Sequence, residues 1–306
     1  MLRALFIWLS ESRSLRGFAE RSSVGQRMSQ RFVAGTQLED ALRATQTVNQ
    51  WGASVSIDNL GENVTNIEEA RSSAALYHQL LDLIAERQLN ANVSVKLTHM
   101  GLDVDEKFAY DNVTALVQHA ARLKSFVRVD MEGSPYTQRT LDFVHRLHRD
   151  PANGDAVGAV IQSYMRRSEA DVEKLLSERI RLRLCKGAYK EPPDIAFQKK
   201  SEVDASYVRL MKTLLKSGVY HGIATHDESI IRQTVAFARA ERIPPDAFEF
   251  QMLHGIRRDL QQGLVRDGWR TRVYIPFGAE WYPYLMRRLA ERPANVLFIA
   301  KNILRG

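Results

Sequence analysis

Eight short runs of β-branched and apolar residues recur along the chain, each ending in polar residues and each followed by a stretch of helical periodicity. The runs are Ala53–Leu60, Asn92–Thr98, Phe126–Glu132, Val157–Ser163, Arg181–Gly187, Tyr220–His226, Phe248–Leu253 and Thr271–Phe277. Strands that alternate with helices read as βα units around a parallel sheet. Eight in series predict an α/β fold, a (β/α)8 TIM-type barrel. In that fold chemistry sits at the carboxyl ends of the strands. Here those ends carry Asp58, Lys96, Asp130, Gln162, Arg183, Lys186, His226, Gln251, His254 and Tyr274.

The chain has 306 residues, and a barrel takes about 250. The alternation starts near Ala53 and ends near Arg292. We therefore expect two parts, an N-terminal helical arm over residues 1–50 and a barrel over 51–306. The single cysteine, Cys185, allows no intrachain disulfide and suits a reducing compartment. The net charge of +7 is a solubility feature. Clustered Lys and Arg among aromatic residues, as nucleic-acid binding would need, do not occur, so no nucleic-acid partner is expected.

Part of the basic excess lies at the start. Arg3, Arg13, Arg16, Arg21, Arg27 and Arg31 face only Glu11 and Glu20 there, and Leu2, Leu5, Phe6 and Leu9 form one apolar helical stripe. The segment is too short to span a bilayer, which takes about 20 apolar residues. It fits a helix packed on the barrel, an interfacial helix on anionic lipid, or a removed targeting peptide.

Helices are expected at Thr36–Gln50, Ile67–Gln88, Lys107–Ser125, Gln138–Arg149, Ser168–Ser177, Ala196–Ser217, Ser229–Glu241, Arg257–Asp267 and Trp281–Arg292, with a last short one beyond Asn295. Ser168 and Ser229 are expected N-caps, and Ser168 with Asp171 comes close to a capping box. Pro192-Pro193 forces a loop after the fifth strand, and Tyr189–Ile195 would cover a ligand at the rim.

Tyr284, Arg287 and Arg288 share a helix face, which suits either a carboxylate clamp or a solvated basic surface. Lys96 and Asp130 end consecutive strands, and a salt bridge or a substrate-orienting pair would explain both. Lys186 and Gly187 offer a charge and a bare backbone to a phosphate or ring. Thr225 and His226 add a hydroxyl and an imidazole at the same rim. His145 and His148, flanked by Arg146 and Arg149, read as a solvated face. No metal site is expected. GxGxxG and P-loop motifs are absent. A site rich in Arg, Lys and Tyr suits anion binding and cofactor redox chemistry.

Together these segments resemble the proline dehydrogenase family. The resemblance is carried in order by SVKLTHMGLD (Ser94–Asp103), VRVDMEGSPYT (Val127–Thr137), VIQSYMRRS (Val160–Ser168), RLCKGAY (Arg183–Tyr189), ATHD (Ala224–Asp227), FEFQMLHGIR (Phe248–Arg257) and YIPFGAEWYPYLMRRL (Tyr274–Leu289). It implies FAD-dependent oxidation of L-proline to Δ1-pyrroline-5-carboxylate, with hydride passing from proline C5 to flavin N5 and electrons to membrane quinone. Arg287 and Arg288 are then similar to the clamp on the proline carboxylate, beside Tyr284. Lys96 resembles the substrate-proximal lysine and Leu253 an apolar substrate contact. Tyr274 resembles the phenol against the proline ring, Asp130 the acid that holds it and an arginine, and Arg183 the arginine near flavin N5. Met131, Gln162, Lys186, Gly187, Ala188, Thr225 and His226 resemble the FAD-binding set.

The family resemblance further implies a cytoplasmic enzyme, peripheral on the inner face of the membrane, and a partner pyrroline-5-carboxylate dehydrogenase. A methylenetetrahydrofolate reductase-like barrel would leave the Arg287–Arg288 pair without a purpose. A hydroxyproline-preferring relative fits poorly with the bulk of Tyr274.

Overall fold

The computed structural model describes Ser22, Ser29 and residues 31–291, with the side chains of 287–291 left out. The apolar stripe from Leu2 to Leu9 and the segment beyond Asn295 lie outside the described residues. All eight expected strands form: β1 Ser54–Asn59, β2 Ala91–Val95, β3 Val127–Val129, β4 Val157–Gln162, β5 Arg181–Cys185, β6 His221–Ala224, β7 Phe248–Leu253 and β8 Thr271–Phe277. They pair in chain order, all parallel, and close into a barrel. Closure is the β8–β1 ladder, in register from Ser54 opposite Arg272 to Asn59 opposite Phe277.

The helices are α1 Leu38–Gln50, α2 Ile67–Glu86, α3 Glu106–Arg122, α4 Ser134–Arg149, α5 Ser168–Ser177, α6 Lys200–Lys216, α7 Glu228–Ala240, α8 Arg258–Arg266 and α9 Trp281–Glu291. Alternation along the strands sorts side chains into two sets. Val55, Ile57, Val93, Val95, Leu182, Leu184, Val273 and Ile275 join one apolar core with helix residues such as Tyr77, Leu80, Leu116 and Leu214. The intervening residues are largely polar and bond to one another across the barrel. A TIM interior is usually filled by branched apolar side chains; this one is an ionic network.

Helix α1 packs Ala41, Leu42 and Val48 into the same core. The segment ahead of it is tied to the barrel rim by Ala34 N–H to Pro276 O and Gly278 N–H to Gly35 O, each 2.9 Å. Phe32 and Val33 pack with Leu60, Trp281, Tyr284 and Leu285 of the rim and α9. Among the described residues no helix is long and apolar enough to cross a membrane.

Two expected caps are displaced. Ser168 lies inside the first turn of α5 and its hydroxyl donates to Gln162 O at 2.6 Å. Asp171 binds the guanidinium of Arg167 at 2.7 and 2.9 Å in place of completing a capping box. Helix α7 is capped by Asp227, whose carboxylate accepts from Ser229 N–H at 3.2 Å. His145 and His148 are also not solvated. His145 is buried, with Nδ1 3.0 Å from Glu178, and His148 Nε2 lies 2.8 Å from Glu178 O. They dock α4 against the turn after α5.

Candidate active site

At the mouth of the barrel one carboxylate organises the centre. Asp130, directly after β3, accepts from Arg183 Nη1 through Oδ1 at 2.5 Å and from the Tyr274 hydroxyl through Oδ2 at 2.9 Å. Three strands, β3, β5 and β8, thus meet in one group. The guanidinium of Arg183 is held on every side: Nε donates to Gln251 at 2.5 Å, and Nη2 to Ser94 at 3.0 Å and Ser56 at 3.2 Å. It also lies 5.2 Å from the Tyr274 ring centre. Burial, with Asp130 and Asp58 nearby, drives the Tyr274 hydroxyl well above the ordinary tyrosine pKa. The phenol therefore stays protonated and donates to Asp130.

Lys96, after β2, pairs with Asp58 of β1 at 2.9 and 3.2 Å and makes no salt bridge to Asp130 among the described residues. Burial works against the ammonium, but Asp58, Asp130 and Glu62 outweigh it and raise its pKa. Tyr77 of α2 supports the pair, its hydroxyl donating to Asp58 at 3.3 Å. Leu253 ends β7, and Tyr284 is buried in the first turn of α9. Helix α9 also carries Arg287 and Arg288, whose side chains lie outside the described residues.

The remaining candidates follow β3 to β6 in turn. Met131 follows Asp130. Gln162, the last residue of β4, donates through Nε2 to Glu132 O at 2.9 Å. Lys186, just beyond β5, is set between Asp204 at 2.6 Å and Asp227 at 2.8 Å. Gly187 adopts φ of 105°, a conformation L side chains rarely take, and a Cβ there would overlap the Tyr164 ring. Ala188 is exposed beside it. Thr225 Oγ1 accepts from Asp227 N–H at 3.0 Å. His226 Nε2 accepts from Leu253 N–H at 2.8 Å, so the neutral ring carries its proton on Nδ1.

The barrel therefore divides its mouth. One arc, after β3 to β6, holds Met131, Gln162, Lys186, Gly187, Ala188, Thr225 and His226. The other, from β7 through β8 and β1 to β2, holds Leu253, Tyr274, Asp58 and Lys96. Arg183 and Asp130 join the two. The Pro192–Pro193 loop closes the first arc. Glu191 accepts from the Ser134 N–H at 2.7 Å and hydroxyl at 2.5 Å, and Arg166 donates to Pro193 O at 2.8 Å.

Several residues of this centre had no assigned role in the sequence. Ser56, Ser94 and Gln251 fix Arg183, and Glu132 accepts from Thr98 N–H and Oγ1 at 3.2 and 2.6 Å. One signal was available: Gly222 interrupts β6, and a Cβ there would overlap the Gln251 amide.

Comparison with known proteins identifies the family. The family model for proline dehydrogenase matches residues 41–301. Proline dehydrogenase 1 of Bacillus subtilis subsp. natto is 39% identical over 306 residues, covering 100% of both chains. Proline dehydrogenase of Deinococcus radiodurans is 37% identical over 298 residues, covering 94% of this chain and 96% of its own. Among solved structures, proline utilization A (PutA) from Bdellovibrio bacteriovorus inactivated by N-propargylglycine superposes with a TM-score of 0.81 at 26% identity. That match covers 87% of this chain and 32% of the larger PutA chain. With a family match over most of its length and full-length relatives near two-fifths identity, the chain belongs to the proline dehydrogenase family.

Proposed function

We propose that this protein oxidises L-proline to Δ1-pyrroline-5-carboxylate, using FAD and passing the electrons to membrane quinone. The observation that carries this is the Asp130 bridge between Arg183 and Tyr274, set between two arcs of opposite character. The β3–β6 arc suits a flavin nucleotide. It offers a lysine, an amide, a hydroxyl, an imidazole and the bare backbone of Gly187, a donor set that fits carbonyls and phosphates. Met131, Gln162, Arg183, Lys186, Gly187, Ala188, Thr225 and His226 would hold it. When bound, the flavin supplies the hydride acceptor.

The chain's own residues bind and orient. On the inner positions Asp58 is matched with Lys96 and Asp130 with Arg183. We assign the Arg287–Arg288 pair on α9 to the substrate carboxylate beside Tyr284, because two forked guanidiniums on one helix suit a carboxylate. Lys96, Leu253 and Tyr274 form the wall for a small saturated ring. Arg183, immobilised by four acceptors, keeps a positive charge at a defined place in a low-dielectric site, where it favours developing negative charge. Fixing a small rigid substrate in this way can supply several kcal/mol, with about 7–11 as an upper range.

The test is an anaerobic visible spectrum of the purified protein before and after L-proline. A flavin spectrum that bleaches with L-proline and not with D-proline is the expected result. A flavin that stays oxidised, or a protein that takes up no added FAD, would reject the assignment.

The arm over residues 1–50 and the barrel over 51–306 have separate tasks in this proposal. The stripe of Leu2, Leu5, Phe6 and Leu9 docks the cytoplasmic enzyme peripherally on the inner face of the membrane, where quinone is reached. The product passes to a separate pyrroline-5-carboxylate dehydrogenase. Liposome flotation of the full chain and of a form lacking Met1–Arg31 tests the docking, and equal flotation would refute it.

A further inference from the structure

The base of the barrel, at the amino ends of the strands, holds Arg128, Arg181, Glu249 and Arg272, which the proposed reaction does not use. A cavity of about 20 Å³ lies there. Four guanidiniums line it, those of Arg128, Arg181, Arg183 and Arg272, against the single carboxylate of Glu249. Two of the four are balanced. Arg183 pairs with Asp130 at 2.5 Å and Arg272 with Glu249 at 2.7 Å. Glu249 is further occupied by Gln251 Nε2 at 2.5 Å and the Tyr220 hydroxyl at 2.9 Å.

Arg128 and Arg181 are different. Among the described residues neither has a carboxylate within ion-pair distance. Arg128 is 4% exposed, and its Nη1 donates only to the backbone oxygens of Ala159 at 2.9 Å and Arg181 at 2.6 Å. The Nε of Arg181 is buried with no acceptor. The two guanidiniums sit about the Phe126 ring, 4.7 and 4.3 Å from its centre. A ring face attracts cations weakly and supplies no counter-charge. Gly158 makes the packing feasible, because a Cβ there would overlap Arg128, Phe126 and the Arg181 backbone. Burial, together with Arg183 and Arg181, presses the Arg128 pKa well below the arginine range. A guanidinium nonetheless keeps its proton in proteins. An unmatched buried charge costs several kcal/mol. The cavity is the right size for one water or one monatomic ion.

We propose that this basal cavity is a binding site for one small anion of the chloride class, held by Arg128 and Arg181. The anion balances one of the two charges that Asp130 and Glu249 leave over, and it lies on the opposite side of Arg183 from the mouth. The site shares Arg183 and Gln251 with the mouth but takes neither proline nor the cofactor.

The test uses the full-length protein in two measurements. Crystals soaked in bromide should show an anomalous peak within hydrogen-bond reach of Arg128 and Arg181. Thermal unfolding at constant ionic strength should shift upward by a few degrees, saturably, as chloride replaces gluconate, an anion too large to enter. In Arg128→Met the chloride-dependent rise should vanish, and the variant should unfold no earlier than the parent in gluconate, because an unmatched buried charge has been removed. Absence of bromide from the cavity overturns the proposal, whatever chloride does to the unfolding curve. If Arg128→Met does not fold, the bromide crystals of the parent decide alone.

Discussion

The Nζ of Lys96 lies 2.9 Å from Oδ2 and 3.2 Å from Oδ1 of Asp58. The ammonium at the mouth thus has a fixed partner on the neighbouring strand before any substrate arrives. Asp58 is 1% exposed, so removing its charge leaves a buried lysine without its main counter-ion. We expect Asp58→Asn to lose about 3 kcal/mol of stability and to raise KM for L-proline through a misplaced Lys96. Urea unfolding and steady-state kinetics check this. An unchanged unfolding midpoint would show that the pair holds nothing.

Tyr274→Phe keeps the ring and deletes the hydroxyl that donates to Asp130. A hydrogen bond to a charged group is worth about 1.5–3 kcal/mol. With one of its two restraints gone, Asp130 no longer fixes Arg183 as tightly. The expected result is a loss in kcat/KM of about tenfold with flavin still bound, measured by anaerobic stopped-flow reduction. A larger effect on flavin content than on reduction rate would contradict it.

Gly222→Ala adds one methyl in the path of the Gln251 amide. Overpacking of this kind costs about 1–3 kcal/mol. Gln251 would release the Nε of Arg183, so the flavin should be reduced more slowly by L-proline even though residue 222 touches neither ligand. Gly158→Ala, which crowds Arg128 at the base, should destabilise the protein without that kinetic signature. Equal kinetic defects in the two variants would show that the Gln251 brace is unimportant.

Arg288→Ala removes half of the proposed carboxylate clamp. Loss of one charge-assisted contact, about 2 kcal/mol, should raise KM for L-proline about thirtyfold and leave binding of FAD intact. An apparent affinity equal to that of the parent would reject the assignment.

Acid should weaken the fold earlier than carboxylates alone would dictate. Burial, reinforced by nearby cations, holds His99 and His254 at a pKa of about 4 and His221 at about 3, against the ordinary 6.5. These groups are neutral when folded and take up protons when unfolded. Their contribution is complete above pH 6.5 and falls as pH drops toward 4, by about 1.4 kcal/mol per unit for each histidine. Asp227, held at about 2 because Lys186 and Lys200 outweigh its burial, adds a further loss only below its ordinary 3.8. Urea midpoints at pH 7 and pH 5 should differ clearly, and His221→Gln should flatten the slope. A flat profile down to pH 5 would refute the assignment.

The strands were readable because β-branched residues punctuate them and glycines, prolines and polar residues end them. The partners of their inward side chains were not. Lys96 and Asp130 end adjacent strands, which suggests a pair, yet Lys96 is matched with Asp58 on the other neighbour. Ser56, Ser94 and Gln251 look like ordinary alternating polar residues until the barrel closes round Arg183. Ser168 and Ser229 have the chemistry of caps, but each is taken into the first turn, Ser168 bonding back to Gln162 O and Ser229 yielding to Asp227. His145 sits beside Arg146 in sequence, but the helical period turns it with Leu141 and Val144 toward the core.

The β8–β1 ladder has a consequence for biogenesis. Arg272 donates to the backbone oxygen of Val55 across 217 residues of chain, and the centre needs Tyr274 of the last strand as much as Asp58 of the first. A growing polypeptide therefore has no intermediate length at which proline could be held. Binding arises in one step, when the final strand docks, and long-range pairing of this kind is slow. During synthesis the chain would carry an open pair of strand edges until that moment, the interval in which chaperones matter most for its yield.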